Sequence, residues 1–189
     1  MTVTELFQKE RDDYVSALES SLAELRKTSP EAGAEVLVEV NSPEIPRPFR
    51  LTRPDIISGP ASDPKISRVV KDETIQFTTH ETMLSQGAKL CLLPFRWDGL
   101  EVYLTGSISS WEPYEAWINK WLDVSEVMGL PGADFAGIIH QASMPSEQDG
   151  RWHLVIDMGS AELDALNELL SVFQSIGAKI IEIGGEAPS

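Results

Sequence analysis

The sequence predicts an α+β protein with a ferredoxin-like core, in which a split β-α-β order gives an antiparallel sheet with two helices on one face. Two observations support this prediction. Between residues 88 and 184, strand-like and helical patterns alternate in the order β-β-α-β-β-α-β. Without the first strand, the remainder has the β-α-β-β-α-β order of the split motif. The first strand is therefore predicted to be an addition to the core.

The first two strands of this core are predicted to form a hairpin. Residues 90–95 are mostly apolar, whereas residues 100–104 alternate apolar and polar side chains. Between them, Trp97-Asp98-Gly99 supplies turn-forming residues. Consecutive apolar residues are typical of a strand covered on both faces, so we expect the first strand to be central or covered.

The first core helix is predicted to begin near Glu112 and to run for about four to five turns. Ser109 or Ser110 can cap it, and Pro113 falls in the first turn, where no N–H group is required. Gly129-Leu130-Pro131 ends the pattern. The apolar stripe at helical spacing consists of Tyr114, Trp117, Ile118, Trp121, Leu122 and Met128.

The second half of the core is predicted to contain a hairpin, a helix and a closing strand. Residues 135–142 and 152–158 form the hairpin, around a polar stretch rich in turn formers. Ser160 is expected to cap the helix, whose leucine-rich stripe ends before Gly177. Residues 179–183 then form the last strand.

An amphipathic helix is predicted at the N-terminus, where Thr2 to Glu5 match a capping box. Its apolar stripe is narrow, which suggests an appendage that packs on the sheet or on a subunit partner. The role of the proline- and arginine-rich segment 43–64 is left open, because a long irregular loop is usually functional or a linker. We expect one compact domain overall, divided into 1–32 (helix), 33–87 (short strands and Pro-rich connection), 88–184 (core) and 185–189 (tail).

The charge balance excludes some classes of partner. The 189 residues carry a formal net charge of −15. Residues 111–189 hold thirteen acidic side chains against three basic ones. Such a surface repels nucleic acids and anionic lipids, so we predict that the chain binds neither nucleic acid nor membrane. Charge can also serve solubility alone.

The expected compartment is the cytoplasm. Cys91 is the only cysteine and cannot form an internal disulfide, which suits a reducing environment. The N-terminus shows no apolar segment of a secretory signal. No run approaches the roughly 18 apolar residues that a membrane-spanning helix needs.

The sequence shows no recognisable catalytic motif, so we predict a protein that is not an enzyme and carries no cofactor. Cys91 lies among leucines, which would raise its pKa and hide it from substrate. No serine stands in a Gly-x-Ser-x-Gly turn. A fold can still host a site that no short motif reveals, so an unrecognised enzyme is the third hypothesis.

The three histidines are His80, His140 and His153. His140 and His153 lie in adjacent predicted strands and could meet, with Asp157 further along the strand of His153. Metal sites usually take three or four ligands, and neither a cysteine partner nor an HExxH spacing supplies them. We therefore expect ordinary strand histidines and no metal, and leave open whether the three side chains come together.

Two tryptophans and three carboxylates are predicted to contact a protein partner. Trp97 lies at a hairpin tip and Trp111 at a helix start, where packing demands less and aromatic side chains can anchor a partner. Glu112, Glu115 and Asp123 lie off the apolar stripe of their helix and could form an acidic rim.

The predicted function is that of a non-enzymatic, acidic, cytoplasmic protein that binds a partner protein with a basic surface, as an inhibitor or immunity protein does. The alternative is a small-molecule-binding regulatory domain of ferredoxin-like fold, with self-association as an open option. This alternative rests on analogy between folds alone.

Overall fold

The computed structural model describes residues 1–60, 62–71, 74–128 and 134–184. Helices and multistranded sheets are both present, so the α+β class is confirmed. The helices of this described part are α1 (Val3–Arg26), α2 (Glu112–Trp121) and α3 (Leu163–Ser175), with a 3₁₀ turn at Trp97–Gly99. Its strands are β1 (Gly33–Ala34), β2 (Val38–Glu39), β3 (Leu51–Thr52), β4 (Ile56–Ser58), β5 (Lys65–Ser67), β6 (His80–Met83), β7 (Lys89–Leu92), β8 (Leu100–Gly106), β9 (Gln141–Ala142), β10 (Ser146–Gln148), β11 (Arg151–Asp157) and β12 (Ala178–Gly184).

The main sheet has the strand order β10-β11-β8-β12-β7-β6, and β9 adds to β11. Only β12 and β7 pair in parallel among these described strands. Two smaller sheets, β1-β4-β5 and β2-β3, come from the region between α1 and β6.

One face of the main sheet forms the core. Leu100, Val102 and Leu104 of β8 are fully buried, whereas Glu101 and Tyr103 between them are partly exposed. This alternation follows from the two-residue period of a strand, with one face packed and the other facing solvent. Helices α2 and α3 are joined by a hydrogen bond from the indole N–H of Trp117 to the carbonyl of Ala165, at 2.9 Å.

The first predicted hairpin is wrong. Strand β12 lies between β7 and β8, pairing in parallel with β7 and antiparallel to β8. The Trp97–Gly99 segment forms a 3₁₀ turn that lies against the end of β11, where the N–H of Met158 binds the Trp97 carbonyl at 3.0 Å. The expected interior position of β7 is confirmed, because β6 and β12 flank it.

The second predicted hairpin is shifted. Strands β10 and β11 are joined by Asp149 and Gly150, which both have positive φ and close a two-residue turn. The expected strand 135–142 is reduced to β9, since Gly137 has φ +72° and the N–H of Ile139 binds the carbonyl of Trp121 instead of a strand.

Both core helices are shorter than the sequence patterns predicted. Helix α2 ends at Trp121, and Asp123 has φ +50°; the expected stop at Gly129-Leu130-Pro131 lies outside the described residues. Helix α3 starts after Glu162 instead of Ser160. The Ser160 hydroxyl accepts from the N–H groups of Gly137 and Ile138 and so holds a neighbouring loop.

Helix α1 is packed into the molecule. Its capping box is confirmed, because Thr2 and Glu5 exchange backbone and side-chain hydrogen bonds. Phe7 packs against Phe95, with ring centroids 5.0 Å apart. The buried side chains of the helix are Leu6, Phe7, Glu10, Tyr14, Leu18 and Leu22. None of the described helices has the length and apolar character needed to cross a bilayer.

Candidate functional site

A buried imidazole lies at the meeting point of four separate segments. His140 Nδ1 is 2.8 Å from Asp55 Oδ1, and Nε2 is 3.0 Å from Glu35 Oε1. Asp157 Oδ1 is 3.8 Å from Nδ1. The His140 and Asp55 side chains are almost fully buried, whereas the Asp157 side chain is 16% exposed. We call these four residues the His140 cluster.

Backbone geometry fixes each member of the His140 cluster. His140 precedes β9, and its N–H binds the carbonyl of Asp157 at the end of β11, at 2.9 Å. Glu35 follows β1 and has φ +55°, a conformation that non-glycine residues rarely adopt. Asp55 immediately precedes β4. Uncommon backbone conformations of this kind concentrate at functional sites.

Each carboxylate of the cluster also accepts hydrogen bonds from outside it. Tyr14 donates its hydroxyl to Asp55 Oδ1 at 3.0 Å, and the N–H of Val69 binds Oδ2 at 2.6 Å. The N–H of Ala136 binds Glu35 Oε2 at 2.7 Å. Asp157 Oδ1 accepts from the N–H of Gly159 at 3.0 Å. Helix α1 is therefore tied to the cluster through Tyr14.

The environment shifts the pKa values of the cluster in different directions. Burial disfavours the His140 imidazolium, but its hydrogen bonds to Asp55 and Glu35 outweigh this effect and raise its pKa to about 10. Burial raises the pKa of Asp157 to about 7, against the lowering effect of His140. The pKa of Asp55 is lowered, because its hydrogen bonds and the charge of His140 overcome the opposing effect of burial. The hydrogen bonds to two carboxylates thus favour the imidazolium form of His140.

Arg53 supports the cluster from the proline- and arginine-rich segment. Its buried guanidinium donates to three backbone carbonyls, those of Glu35, Leu122 and Asp123. The N–H of Arg53 binds the carbonyl of His140 at 2.8 Å. Segment 43–64, whose role the sequence left open, thus places Arg53 and Asp55 inside the molecule.

A second feature lies on the surface, where α2 begins beside the β10-β11 hairpin. The rings of Trp111 and Trp152 meet edge to face, with centroids 5.2 Å apart, and both side chains are half-buried. Glu147 lies directly opposite Trp152 in the β10-β11 pair, so the two side chains share a face. Glu112 follows Trp111 and is exposed, as is Glu147. We call Trp111, Trp152, Glu112, Glu115 and Glu147 the acidic aromatic patch.

The nearby cations are already engaged elsewhere. Lys120, at the other end of α2, pairs with Glu168. Arg151 lies over the ring of Tyr103 on the opposite face of the sheet and pairs with Glu182. The patch therefore presents carboxylates beside exposed aromatic surface.

Two predicted partner-contacting residues have other roles. Trp97 is 1% exposed, and its indole N–H donates to the carbonyl of Gly159 at 2.9 Å. Asp123 is buried, and its carboxylate accepts from the N–H groups of Val127 and Met128. The expectation that packing constrains Trp97 little is wrong, because its turn folds back onto the core. Trp111, Glu112 and Glu115 remain candidates for partner contact.

His140 and His153 do not meet. Asp157 joins His140, which is one arrangement that the sequence allowed, but His153 stacks on Tyr103, with ring centroids 4.6 Å apart.

Glu35 and Asp55 were missed. The alternation of residues 34–40 indicated a strand with Glu35 opposite the valines, but β1 ends at Ala34. Asp55 lies in an irregular segment, where no periodic signal separates a buried acidic residue from an exposed one.

The described residues define a mixed α+β protein with a buried histidine–carboxylate cluster and an acidic aromatic surface. No protein-family model matches the chain, and searches of curated proteins and of solved structures find no match.

Proposed function

We propose that this chain is a non-enzymatic cytoplasmic protein that binds a partner protein with a basic surface, in the manner of an inhibitor or immunity protein. The observation that carries the proposal is the contact between Trp111 and Trp152 beside the exposed carboxylates of Glu112 and Glu147. Tryptophan is enriched among residues that dominate binding energies. Carboxylates at the rim favour a cationic partner and repel an anionic one.

The charge of the whole chain supports the same proposal. A net charge of −15 creates a long-range field that accelerates encounter with a basic protein. The fastest steered associations reach about 10⁸–10⁹ M⁻¹s⁻¹ at low salt. The aromatic pair would then supply short-range contact, and the carboxylates would act mainly on the rate of encounter.

The first experiment identifies the partner. The protein is used to capture binding proteins from its native host, in parallel with a Trp111→Ala/Trp152→Ala variant. We expect a basic protein that is retained in stoichiometric amount by the wild type and lost by the variant. Retention by both proteins, or capture of no basic protein, would contradict the proposal.

The second experiment tests the carboxylates by stopped-flow kinetics with that partner. Glu112→Lys/Glu147→Lys should slow association strongly at low salt and change dissociation little, because rim charges act on encounter. The difference should shrink as the Debye length falls from about 10 Å at 0.1 M salt to about 3 Å at 1 M. Glu19→Lys/Glu24→Lys, at two exposed positions of α1, makes the same change of four charges and is the matched control, which should have a smaller effect.

We also propose that β8, α2, β9, β11, α3 and β12 form a split β-α-β unit of ferredoxin-like type. Its support is the strand order β12-β8-β11-β9, in which every neighbouring pair is antiparallel. Strand β7 would then be the added strand, attached in parallel to β12. An experimental structure that pairs these strands in another order would refute this assignment.

A second candidate function, binding of a small molecule by a regulatory domain, is favoured by a groove of about 430 Å³ between the start of α1, β6 and α3. Val3, Phe7, Leu166 and Leu170 line it, and sites for small molecules have this size and apolar character. Mass spectrometry of protein purified from the native host under non-denaturing conditions distinguishes the two candidates. A co-purified metabolite without a protein partner would favour the groove.

A further inference from the structure

We propose that His140, Asp55 and Asp157 form a binding site for a divalent transition metal such as Zn²⁺, with Nδ1 of the histidine and one oxygen of each aspartate as ligands. These three atoms all lie within 4.8 Å of one another. One imidazole with two carboxylates is a donor set that Zn²⁺ and its neighbours in the first transition row accept. The proposal is independent of partner binding by the acidic aromatic patch.

The ligand spacing suits a metal. Bonds of about 2.0–2.2 Å in a tetrahedral arrangement place neighbouring donor atoms about 3.4 Å apart. The observed separations from His140 Nδ1 are 2.8 Å to Asp55 and 3.8 Å to Asp157, which lie on either side of that value. Movements of less than about 1 Å would therefore centre a metal between these donors.

The surroundings of the three ligands resemble those of a metal centre. A metal-binding histidine usually donates its second ring N–H to a carboxylate, which fixes its orientation and tautomer. Glu35 Oε1 occupies that position, 3.0 Å from Nε2. Ligand carboxylates are usually hydrogen-bonded in turn, as Asp55 is by Tyr14 and Asp157 is by Gly159.

An imbalance of buried charge points to a cation independently of the ligand spacing. Among the residues described, the salt bridges of Glu35, Asp55 and Asp157 all go to one partner, His140. The three carboxylates thus have one cation within salt-bridge distance, in a largely buried place where an uncompensated charge is expensive. Arg53 acts on Glu35 and Arg96 acts on Asp157 only from further away. A divalent ion replaces the single imidazolium charge by two. It leaves the histidine neutral, as metal binding requires.

The burial of the site indicates that a metal bound there would stabilise the fold, with water or a second carboxylate oxygen completing the coordination by the three ligands. Only Asp157 among the three ligands keeps appreciable exposure, so an ion would enter past its side chain. The ligands and Glu35 come from four segments that are distant in sequence. A metal bound there would hold the N-terminal half of the described chain to the main sheet, and its binding energy would add directly to folding stability.

The test uses the full chain purified without chelators and with Zn²⁺ in the medium. We expect about one equivalent of metal by elemental analysis, because the three ligand atoms form one site. After chelation and dialysis, titration with Zn²⁺ should restore one site by calorimetry and raise the melting temperature. Mn²⁺ is the second probe and should bind more weakly.

Two variants and a control define the ligands. Asp157→Asn keeps the side-chain shape and should weaken Zn²⁺ binding by at least about tenfold, and Glu35→Gln by about 10- to 100-fold, the range for groups that orient a ligand. His153→Gln changes the half-buried histidine that stacks on Tyr103, outside the cluster, and should leave the affinity unchanged. Equal affinity of all the proteins would place any bound Zn²⁺ on surface carboxylates and overturn the proposal.

The protonation of His140 in the wild-type protein shows whether a metal is bound, even where a variant fails to fold. Nitrogen NMR of the imidazole in excess Zn²⁺ should show Nδ1 without a proton and Nε2 with one. Protons on both nitrogens, together with an unchanged melting temperature, would show that the cluster is an imidazolium held by carboxylates and that no metal binds there.

Discussion

Gly159 lies directly against the imidazole ring of His140. A Cβ atom at position 159 would stand 2.2 Å from Cδ2 and 2.7 Å from Nε2 of the histidine, and 2.6 Å from the carbonyl oxygen of Ile138. The glycine also has φ +51°, in the left-handed region. Absence of a side chain at this position is therefore what allows the imidazole to reach Glu35 and Asp55.

Gly159→Ala should destabilise the protein far more than Gly150→Ala. Both glycines have positive φ, so both substitutions carry the left-handed penalty of about 1–2 kcal/mol. Of these two positions, only 159 places the new methyl group too close to other atoms, because nothing lies within 4 Å of a Cβ atom at position 150. Overpacking adds about 1–3 kcal/mol, and the difference should appear in urea unfolding. Equal midpoints would mean that the His140 ring moves away easily.

Trp97→Ala should lower the free energy of unfolding by about 3–5 kcal/mol, the range for a buried large aromatic. The side chain is buried, and its indole N–H donates to the carbonyl of Gly159. A tryptophan at an exposed hairpin tip, as the sequence predicted, would instead lose little stability on substitution. Trp111→Ala is the control, because this half-buried side chain should lose less. Chemical denaturation followed by circular dichroism compares the two, and a larger loss at Trp111 would contradict the packing described.

Arg53→Leu should be strongly destabilising, because it leaves the carbonyls of Glu35 and Leu122 without their donor, while the Asp123 carbonyl keeps only the N–H of Glu126. Each unsatisfied buried group costs about 1–3 kcal/mol, so a total loss of at least about 2 kcal/mol is expected. Arg50→Leu in the same segment removes a surface pair with Glu39 and should cost about 1 kcal/mol or less. Thermal unfolding of the two variants checks the contrast, and similar losses would refute it.

Leu18→Ala in α1 should cost about 2–5 kcal/mol, because the side chain is completely buried. Ser16→Ala, at an exposed position of the same helix, should be nearly neutral. Deletion of residues 1–32 should therefore give an insoluble or unfolded product instead of the folded core that an appendage would leave. A soluble, cooperatively unfolding truncation would restore the appendage interpretation.

The local sequence patterns predicted the helices and strands themselves better than they predicted which strands lie side by side. The stripes of α1, α2 and α3 and the closing strand follow hydrophobic periodicity, which responds to one buried face. The pairing of β7 and β8 was predicted wrongly, because nothing in either strand records that β12 lies between them. Sequence neighbours usually pair, and an inserted strand breaks that rule.

The His140 cluster could be predicted only in part, because tertiary contacts bring its residues together. His140 and Asp157 lie in or near recognised strands, so their approach could be considered. Glu35 belonged to a predicted strand, residues 34–40, on the side opposite its valines, and Asp55 to an irregular segment; at both kinds of position a carboxylate is normally exposed. Their burial depends on the tertiary contacts of Arg53 and Tyr14, which no local pattern encodes.

The insertion of β12 between β7 and β8 also bears on the order in which the chain acquires its shape. A ribosome makes β7 and β8 more than 70 residues before it makes β12, so each leaves the ribosome with an unpaired edge that only the later strand can cover. Contacts of such long sequence separation form slowly. The nascent chain would hence depend on chaperones or on fast completion of synthesis to keep these edges from pairing with other chains.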